Sequence, residues 1–418
     1  MKRLIIDPLT RVEGHGRVEL TLRDGRLGEV QVRMLESPRL FEKIVVGRKY
    51  DEVADLVCRI CAICSAVHKL TALEAIEQAL EIEVPPLAEA IRELLLLGGH
   101  IQSHALHLFC LVLPDFTEAE SIVALLKDDD SLALAGLALK ALGNHIQEVA
   151  GGRVIHPINP VVGGVSFRPA RQLLQGLLAE LETWREKWPA CAREFSARAR
   201  FPAAKVVKGL PLATGRADMF SLRGDTLWLD RGVIFPAVDY KKILSEKTSA
   251  DSYAKQSCSD DRPYIVGAFA RARLTETKGN RHRWSVSGED NIYGNNIAQL
   301  GEIEWALARA SELTEAILGT QEGTALISVP GKPKGGVGTA VMEAPRGLLV
   351  HQYVIDEWGH VAAADVVTPT AINQCAMESQ ILADLADETD TEQMRVIAEQ
   401  IVRAFDPCIS CAVHLLEI

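Results

Sequence analysis

Apolar and polar residues alternate twice near the start of the chain, from Arg17 to Arg23 and from Glu29 to Met34, with Asp24-Gly25 between. A period of two puts one face of a strand on a core. Asp-Gly accepts the positive φ angles of a tight turn, so a hairpin is expected. From Asp51 to about Gly151 the apolar positions recur at helical spacing, with breaks at Pro85-Pro86, Pro114 and Asp128-Asp129-Asp130. Proline lacks the amide donor that a helix interior needs, so these breaks separate several long helices of a bundle. A Gly/Pro-rich loop, Gly151 to Gly164, leads to an amphipathic stretch from Arg171 to about Ala199. Between Phe201 and Arg283 short alternating runs mix with Gly, Pro and Asp, which predicts irregular structure wrapped on the bundle. Helical spacing returns from about Ile297 to Leu318, strand-like pieces flank Pro345 and run to Val367, and a last helix is expected over Asn373 to Ala404.

The fold class that follows is mainly α, a bundle of long helices with small peripheral β-sheets near both ends. A single domain over 1–418 is expected, divided into a β-rich part (1–50), a helical core (51–200), an irregular wrap (201–295) and closing helices and strands (296–418).

Charge narrows the function. Lys and Arg number 45 against 56 Asp and Glu, giving a net charge of -11. No basic run marks a phosphate-binding stripe, so nucleic acid is not an expected partner. The longest apolar runs, such as Leu132 to Leu139, fall short of the roughly 20 residues that cross a bilayer. The N-terminus has neither the apolar run of a signal peptide nor a twin arginine. A cytoplasmic location without direct membrane insertion is expected.

Cysteine placement carries the chemistry. There are nine cysteines, an odd number in a large chain, so reduced thiols are expected rather than a disulfide framework. Cys61 and Cys64 form one C-x-x-C, with His68 four residues on; Cys408 and Cys411 form another, with His414 three residues on. Each pair can chelate a metal, and four thiolates suit Zn, Fe or Ni. The pairs stand 344 residues apart, whereas a zinc ribbon brings its pairs within about 15–20 residues. A redox C-x-x-C of the thioredoxin type expects a βαβ context, and Cys61 instead joins two helical stretches.

The segments Arg59-Ile60-Cys61-Ala62-Ile63-Cys64-Ser65-Ala66-Val67-His68 and Asp406-Pro407-Cys408-Ile409-Ser410-Cys411-Ala412-Val413-His414 resemble the two nickel-binding motifs of [NiFe]-hydrogenase large subunits. Three further segments agree in order: Arg11-Val12-Glu13-Gly14-His15, Gly152-Arg153-Val154-Ile155-His156-Pro157 and Glu343-Ala344-Pro345-Arg346-Gly347. The resemblance spans the chain. It implies a hydrogenase large-subunit fold and a catalytic subunit that interconverts dihydrogen with protons and electrons. By the resemblance, Cys61 and Cys408 are terminal nickel ligands. Cys64 and Cys411 bridge nickel to an iron carrying two cyanides and one carbon monoxide.

The same resemblance assigns the surroundings. Glu13 matches a proton-gate glutamate beside Cys408, with a surface glutamate as the alternative. Arg346, after Pro345, matches an arginine over the open metal position, against a loop arginine paired with a surface acid. Thr370 and Asp406 match a hydroxyl and an acid just outside the ligands, and His68 is expected to donate to a bridging sulfur. Glu42, 19 residues before Cys61, and His414 match a second site for magnesium or iron; for Glu42 a salt bridge with Lys43 or Arg48 is the alternative. Two departures stand out: Ala62 replaces a glycine common in the first motif, and Ser103 stands before His104 and His107 where many relatives carry aspartate. Only Leu415-Leu416-Glu417-Ile418 follow His414, where the family's maturation protease normally removes an extension.

His100, His104 and His107 fall at helical spacing in an apolar run and read first as satisfied core histidines. Gly331 to Gly338 lacks the ending of a phosphate loop and reads as a flexible connection. After four nickel ligands the remaining cysteines are scattered, so no iron-sulfur cluster is expected in this chain. Electrons must then leave through an iron-sulfur small subunit, with further flavin or iron-sulfur subunits beyond it. The ending is most similar to the soluble NAD(P)-linked or heterodisulfide-reductase-linked groups. A hydrogen-sensing regulatory subunit, the related quinone-site subunit of respiratory complex I and a structural zinc scaffold are the alternatives.

Overall fold

The computed structural model describes residues 2–37, 40–117, 119, 121–207, 209–215, 221–230, 232–249, 252–257, 262–277, 290–321, 323 and 325–413. It opens with an antiparallel sheet of β1 (Lys2–Ile6), β2 (Gly16–Arg23) and β3 (Arg26–Met34), in that order. The expected hairpin is β2–β3, turning through Asp24 at φ 51° and Gly25 at φ 81°. β1 had no signal in the sequence, because of its residues only Ile6 is buried.

Helices α1 (Phe41–Val45), α2 (Tyr50–Val57) and α3 (Ser65–Ala79) follow, then α4 (Pro86–Ala105), α5 (Ile122–Lys127) and α6 (Ser131–Gly151). Two of the predicted breaks, at Pro85-Pro86 and at Asp128-Asp129-Asp130, lie where they were expected, whereas at Pro114 the helix tightens into a 3₁₀ turn and ends only at Phe116. Pro86 begins α4, where its missing N–H leaves no bond unmade. Asp130 caps α6, its carboxylate accepting from the amides of Leu132 (3.1 Å) and Ala133 (2.9 Å). Beyond α4 the helix winds on through a π-helical turn, Leu106–Val112, and a 3₁₀ turn, Leu113–Phe116. The whole helical run, Pro86–Phe116, is long and apolar enough to cross a membrane, but 89% of its apolar window is buried inside the protein. α4 and α6 cross closely because Gly143 has no side chain; a Cβ there would lie 2.5 Å from the amide nitrogen of Gln102.

β4 (Pro160–Val161) and β5 (Gly164–Val165) form a small ladder in the Gly/Pro-rich loop, and α7 (Arg171–Arg198) matches the amphipathic stretch. The expected wrap is more regular than its sequence indicates. It holds β6 (Leu210–Gly215), β7 (Arg223–Gly224), β8 (Thr226–Leu229), β9 (Val233–Pro236), β10 (Glu246–Ser249), β11 (Ser252–Ser257), β12 (Tyr264–Ile265) and α8 (Ala268–Thr277). Strands of two to six residues are too short to display a period.

After α9 (Gly294–Gly319), strands β13 (Gly336–Ala344), β14 (Gly347–Ile355) and β15 (Val361–Val367) build a sheet of order β15-β14-β13-β7. This sheet is covered by α3 on one side and by the apolar residues of β6 and β8 on the other, so β14 is almost wholly buried. The single closing helix expected over Asn373 to Ala404 is instead two, α10 (Pro369–Asp384) and α11 (Thr391–Ala404). Asp390 restarts the second by accepting from the Glu392 amide at 2.8 Å, a cap that the apolar spacing alone does not reveal. A last short helix is α12 (Ile409–Ala412).

Two large apolar cores result. One fills the helical body and the β13–β15 sheet; the other joins the N-terminal sheet to α10 and α11. The second cysteine motif lies on the seam: Cys408 and Cys411 face the helical body, while Ile409, Ala412 and Val413 face the N-terminal sheet. Seven described cysteines are free, but Cys375 is disulfide-bonded, which corrects the expectation of uniformly reduced thiols.

Candidate metal centre

The early thiols are presented by the α2–α3 connection. Cys64 is the residue before the first turn of α3, and Cys61 precedes it in the turn. Ala62 does not adopt positive φ, which explains why alanine is tolerated where glycine is common. The late thiols need more support, because α12 is one turn long. The Cys408 amide donates to Thr370 Oγ1 at 2.8 Å, at the start of α10, and the Ile409 amide donates to the Glu13 carbonyl at 3.1 Å. Glu13 and Cys408 form a parallel β-bridge. Gly14, at φ 87°, permits this approach, since a Cβ there would stand 2.7 Å from Ile409 Cβ.

These contacts join the two ends of the chain. Cys408 Sγ lies 3.3 Å from Cys61, 4.0 Å from Cys64 and 2.9 Å from Cys411, and all four sulfurs fall within 4.8 Å of one another. Tetrahedral thiolates on one ion with bonds of about 2.3 Å would be about 3.8 Å apart, so the cluster has the size of a single metal site. All four are buried. Burial and the neighbouring sulfurs push Cys408 and Cys411 well above the usual thiol range. Hydrogen bonds from those two, assisted by the Arg346 charge, pull Cys64 well below it. Four adjacent sulfurs cannot all ionise without a cation among them, and a divalent metal supplies that charge.

Charged groups line this cluster. Arg346, at the tight turn between β13 and β14, donates through Nε to Asp406 Oδ1 at 3.1 Å and through Nη1 to Cys64 Sγ at 3.6 Å. Its Nη2 is buried and has no hydrogen-bond partner among the described residues. Such an orphan donor fits a further acceptor beside the sulfurs, as a diatomic ligand of iron would provide. Glu13 accepts from the Ser410 amide at 3.2 Å; burial first, and then Cys61, push its carboxyl up from the ordinary value. Glu13 is half-buried, its carboxylate against the second cysteine motif. Asp406 also accepts from Gln299 Nε2 at 3.2 Å, and the carbonyl of Pro345 accepts from Arg271 at 3.2 Å.

His68 is on α3 and Glu42 on α1. His68 Nδ1 stands 3.1 Å from His351 Nε2, and His351 Nδ1 stands 2.7 Å from the Tyr353 hydroxyl. Glu42 is buried on α1, with the Lys255 ammonium 3.3 and 3.4 Å from its two oxygens and the Val366 amide at 2.7 Å. Its ion pair is thus with Lys255 rather than Lys43 or Arg48. Glu246 and Asp365 also approach Lys255, at 2.9 and 3.9 Å. His414 and the four residues after it lie outside the described residues. The three histidines of α4 and its continuation are core residues: His104 bonds Glu302 (2.8 Å), His107 bonds Gln299 (2.6 Å) and the Arg403 carbonyl (2.7 Å), and His100 bonds the Leu96 carbonyl (3.0 Å). Ser103 Oγ has no hydrogen-bond partner among the described residues, and the carboxylate that meets Arg346 is Asp406.

Sequence reasoning missed Arg271, Glu302 and His351. None belongs to a motif, and each becomes visible only when α8, α9 and β14 are packed together.

A buried four-thiolate cluster with an arginine and a carboxyl set against it is a site for a thiophilic metal such as Zn, Fe or Ni. The model for nickel-dependent hydrogenase matches residues 39–138 and 294–414, and a HoxL-like model matches residues 3–33. The alpha subunit of sulfhydrogenase 1 from Pyrococcus furiosus is 36% identical over 99% of this chain and 98% of its own length. The alpha subunit of coenzyme F420 hydrogenase from Methanothermobacter thermautotrophicus is 28% identical over 99% of this chain and 95% of its own. Among solved structures, an NAD+-reducing [NiFe]-hydrogenase in the H2-reduced state superposes with a TM-score of 0.88 at 29% identity, covering 99% of this chain and 100% of that one. The chain belongs to the nickel-dependent hydrogenase family, as its large catalytic component. Both alpha subunits are components of multi-subunit hydrogenases.

Proposed function

We propose that this chain performs reversible heterolytic cleavage of dihydrogen at a nickel–iron centre held by its four motif thiolates. Cys61, Cys64, Cys408 and Cys411 would hold nickel, and Cys64 and Cys411 would also hold an iron that carries two cyanides and one carbon monoxide. When bound, this centre supplies the electron-accepting chemistry that polarises dihydrogen. Cys408 Sγ is the terminal thiolate that takes the proton, and the Glu13 carboxyl, held against the Cys408–Ser410 turn, passes it outward. A carboxyl raised by burial is a better proton acceptor than an exposed one, which suits that task. Arg346 supports an acceptor at the centre through its free Nη2, Asp406 holds Arg346, and Thr370 fixes the Cys408 backbone.

The observation that carries this reading is the convergence of four buried sulfurs within 4.8 Å, with Arg346 and Glu13 beside them. A structural zinc would be satisfied by the thiolates alone and gives a buried arginine donor no task. Infrared bands of bound cyanide and carbon monoxide in the purified protein test it; a protein with four-sulfur zinc and no such bands would refute it.

The remaining assignments rest on the same reading. Glu42 and His414 are assigned to a magnesium or ferrous ion that pins the C-terminus, which requires Lys255 to leave the Glu42 carboxylate. Electrons leave through an iron-sulfur small subunit, with further flavin or iron-sulfur subunits beyond it, to a NAD(P)- or heterodisulfide-linked acceptor in the cytoplasm. In this reading residues 1–418 form one hydrogenase large-subunit domain.

A further inference from the structure

Arg346 reaches the centre from a two-residue turn, and among the described residues its guanidinium has only Asp406 and Cys64 as partners. A long arginine side chain has many rotamers, so two contacts at its tip aim it reliably only if its backbone is fixed. Arg271 supplies that fixing. It lies on α8, is buried at 2% exposure, and its five N–H donors meet five acceptors. Nε and Nη2 donate to the two oxygens of Glu302 at 2.5 and 2.7 Å, and Nη1 donates to Glu343 Oε2 at 2.6 Å. The remaining two donors reach the carbonyls of Ala344 and Pro345, each at 3.2 Å, which are the two peptide groups immediately ahead of Arg346.

We infer that Arg271 is a positioning residue for Arg346: it clamps the chain before the turn and so aims the second guanidinium at Cys64. Its own anchorage is rigid. Glu302 Oε2 is also bonded by His104 Nε2 at 2.8 Å, and Glu343 Oε1 accepts from the Thr214 amide at 2.7 Å. Burial opposes the charge on Glu302, but Arg271 and the His104 hydrogen bond outweigh it and hold its carboxyl down at about 2. Gly267, one turn before Arg271, faces the same backbone from another side; a Cβ there would be 3.3 Å from the Arg346 carbonyl. The pairing is directional. A guanidinium can hold two carboxylates and two carbonyls in one plane, whereas a lysine ammonium has three donors and cannot replace that fork.

This inference rests on the reading that Arg346 serves the metal centre, and the experiment separates the two. The holoenzyme and its Arg271→Lys, Arg346→Lys and double variants are compared by nickel and iron content, infrared bands and dihydrogen uptake. Arg271→Lys should keep its metals, shift the cyanide bands and lower kcat about tenfold, and should add little in the Arg346→Lys background. Should Arg271→Lys fail to fold, the triple variant R271M/E302Q/E343Q, which removes the buried charges together, is expected to show the same band shift. Effects that multiply in the double variant, native bands in a metal-loaded Arg271 variant, or loss of metal from both Arg271 variants would each overturn the inference. Native bands and native turnover in Arg346→Lys alone would refute the reading of Arg346, and this inference with it.

Discussion

The two halves of the metal centre are built by different means. Cys61 and Cys64 are set by local structure, between two helices that pack into the main core. Cys408 and Cys411 ride on a single turn held by Glu13, Gly14 and Thr370, residues 395, 394 and 38 positions away in sequence. Short helices are marginal on their own, so the late half depends on contacts that only the complete fold provides. A site arranged in this way closes when the chain's two ends meet, and the early half can wait for the late one.

That contrast can be broken experimentally. The largest effect is expected from Cys408→Ala, which removes one of the four converging sulfurs. Nickel content by elemental analysis should fall to background and dihydrogen turnover should vanish. Glu13→Gln should keep the metals yet slow hydrogen–deuterium exchange into solvent by about 100-fold or more, because a carboxamide cannot relay a proton. An unchanged exchange rate would remove Glu13 from the route.

Smaller effects sharpen the comparison. Gly14→Ala combines a positive φ with a clash against Ile409, and should cost about 1–3 kcal/mol while making nickel easier to remove by chelator. Gly25→Ala is the control, with similar φ but open space around it; it should lower the Tm slightly and leave nickel retention unchanged. Thr370→Val leaves the buried Cys408 amide without its acceptor and should cost about 1–3 kcal/mol. Acid gives a further test. The folded pKa of Glu302 is depressed to about 2, so its stabilisation is present above its ordinary value of 4.5 and is lost as pH falls through the folded value. Glu302→Gln should therefore flatten the decline in stability over that window, measured by denaturant titration at successive pH values.

Much of this was legible in the chain. The helix breaks were readable because proline and capping aspartate act locally, and the C-x-x-C pairs because chelation needs that spacing. The grouping of Glu13, Arg346, Thr370 and Asp406 near the sulfurs was readable only through resemblance to a family. The split between α10 and α11 and the strands of the wrap were not legible, since they lack a sustained period. Lys255 as the partner of Glu42, and Arg271 with Glu302 behind the Arg346 turn, could not be read from spacing at all. They pair residues 213 and 31 positions apart, through packing rather than motif.

Nickel X-ray absorption on the purified full-length protein tests the convergence of the two ends most directly. A shell of about four sulfurs at about 2.3 Å is expected around nickel. A nickel shell of nitrogen and oxygen, or only the two sulfurs that one cysteine pair can provide, would contradict the account.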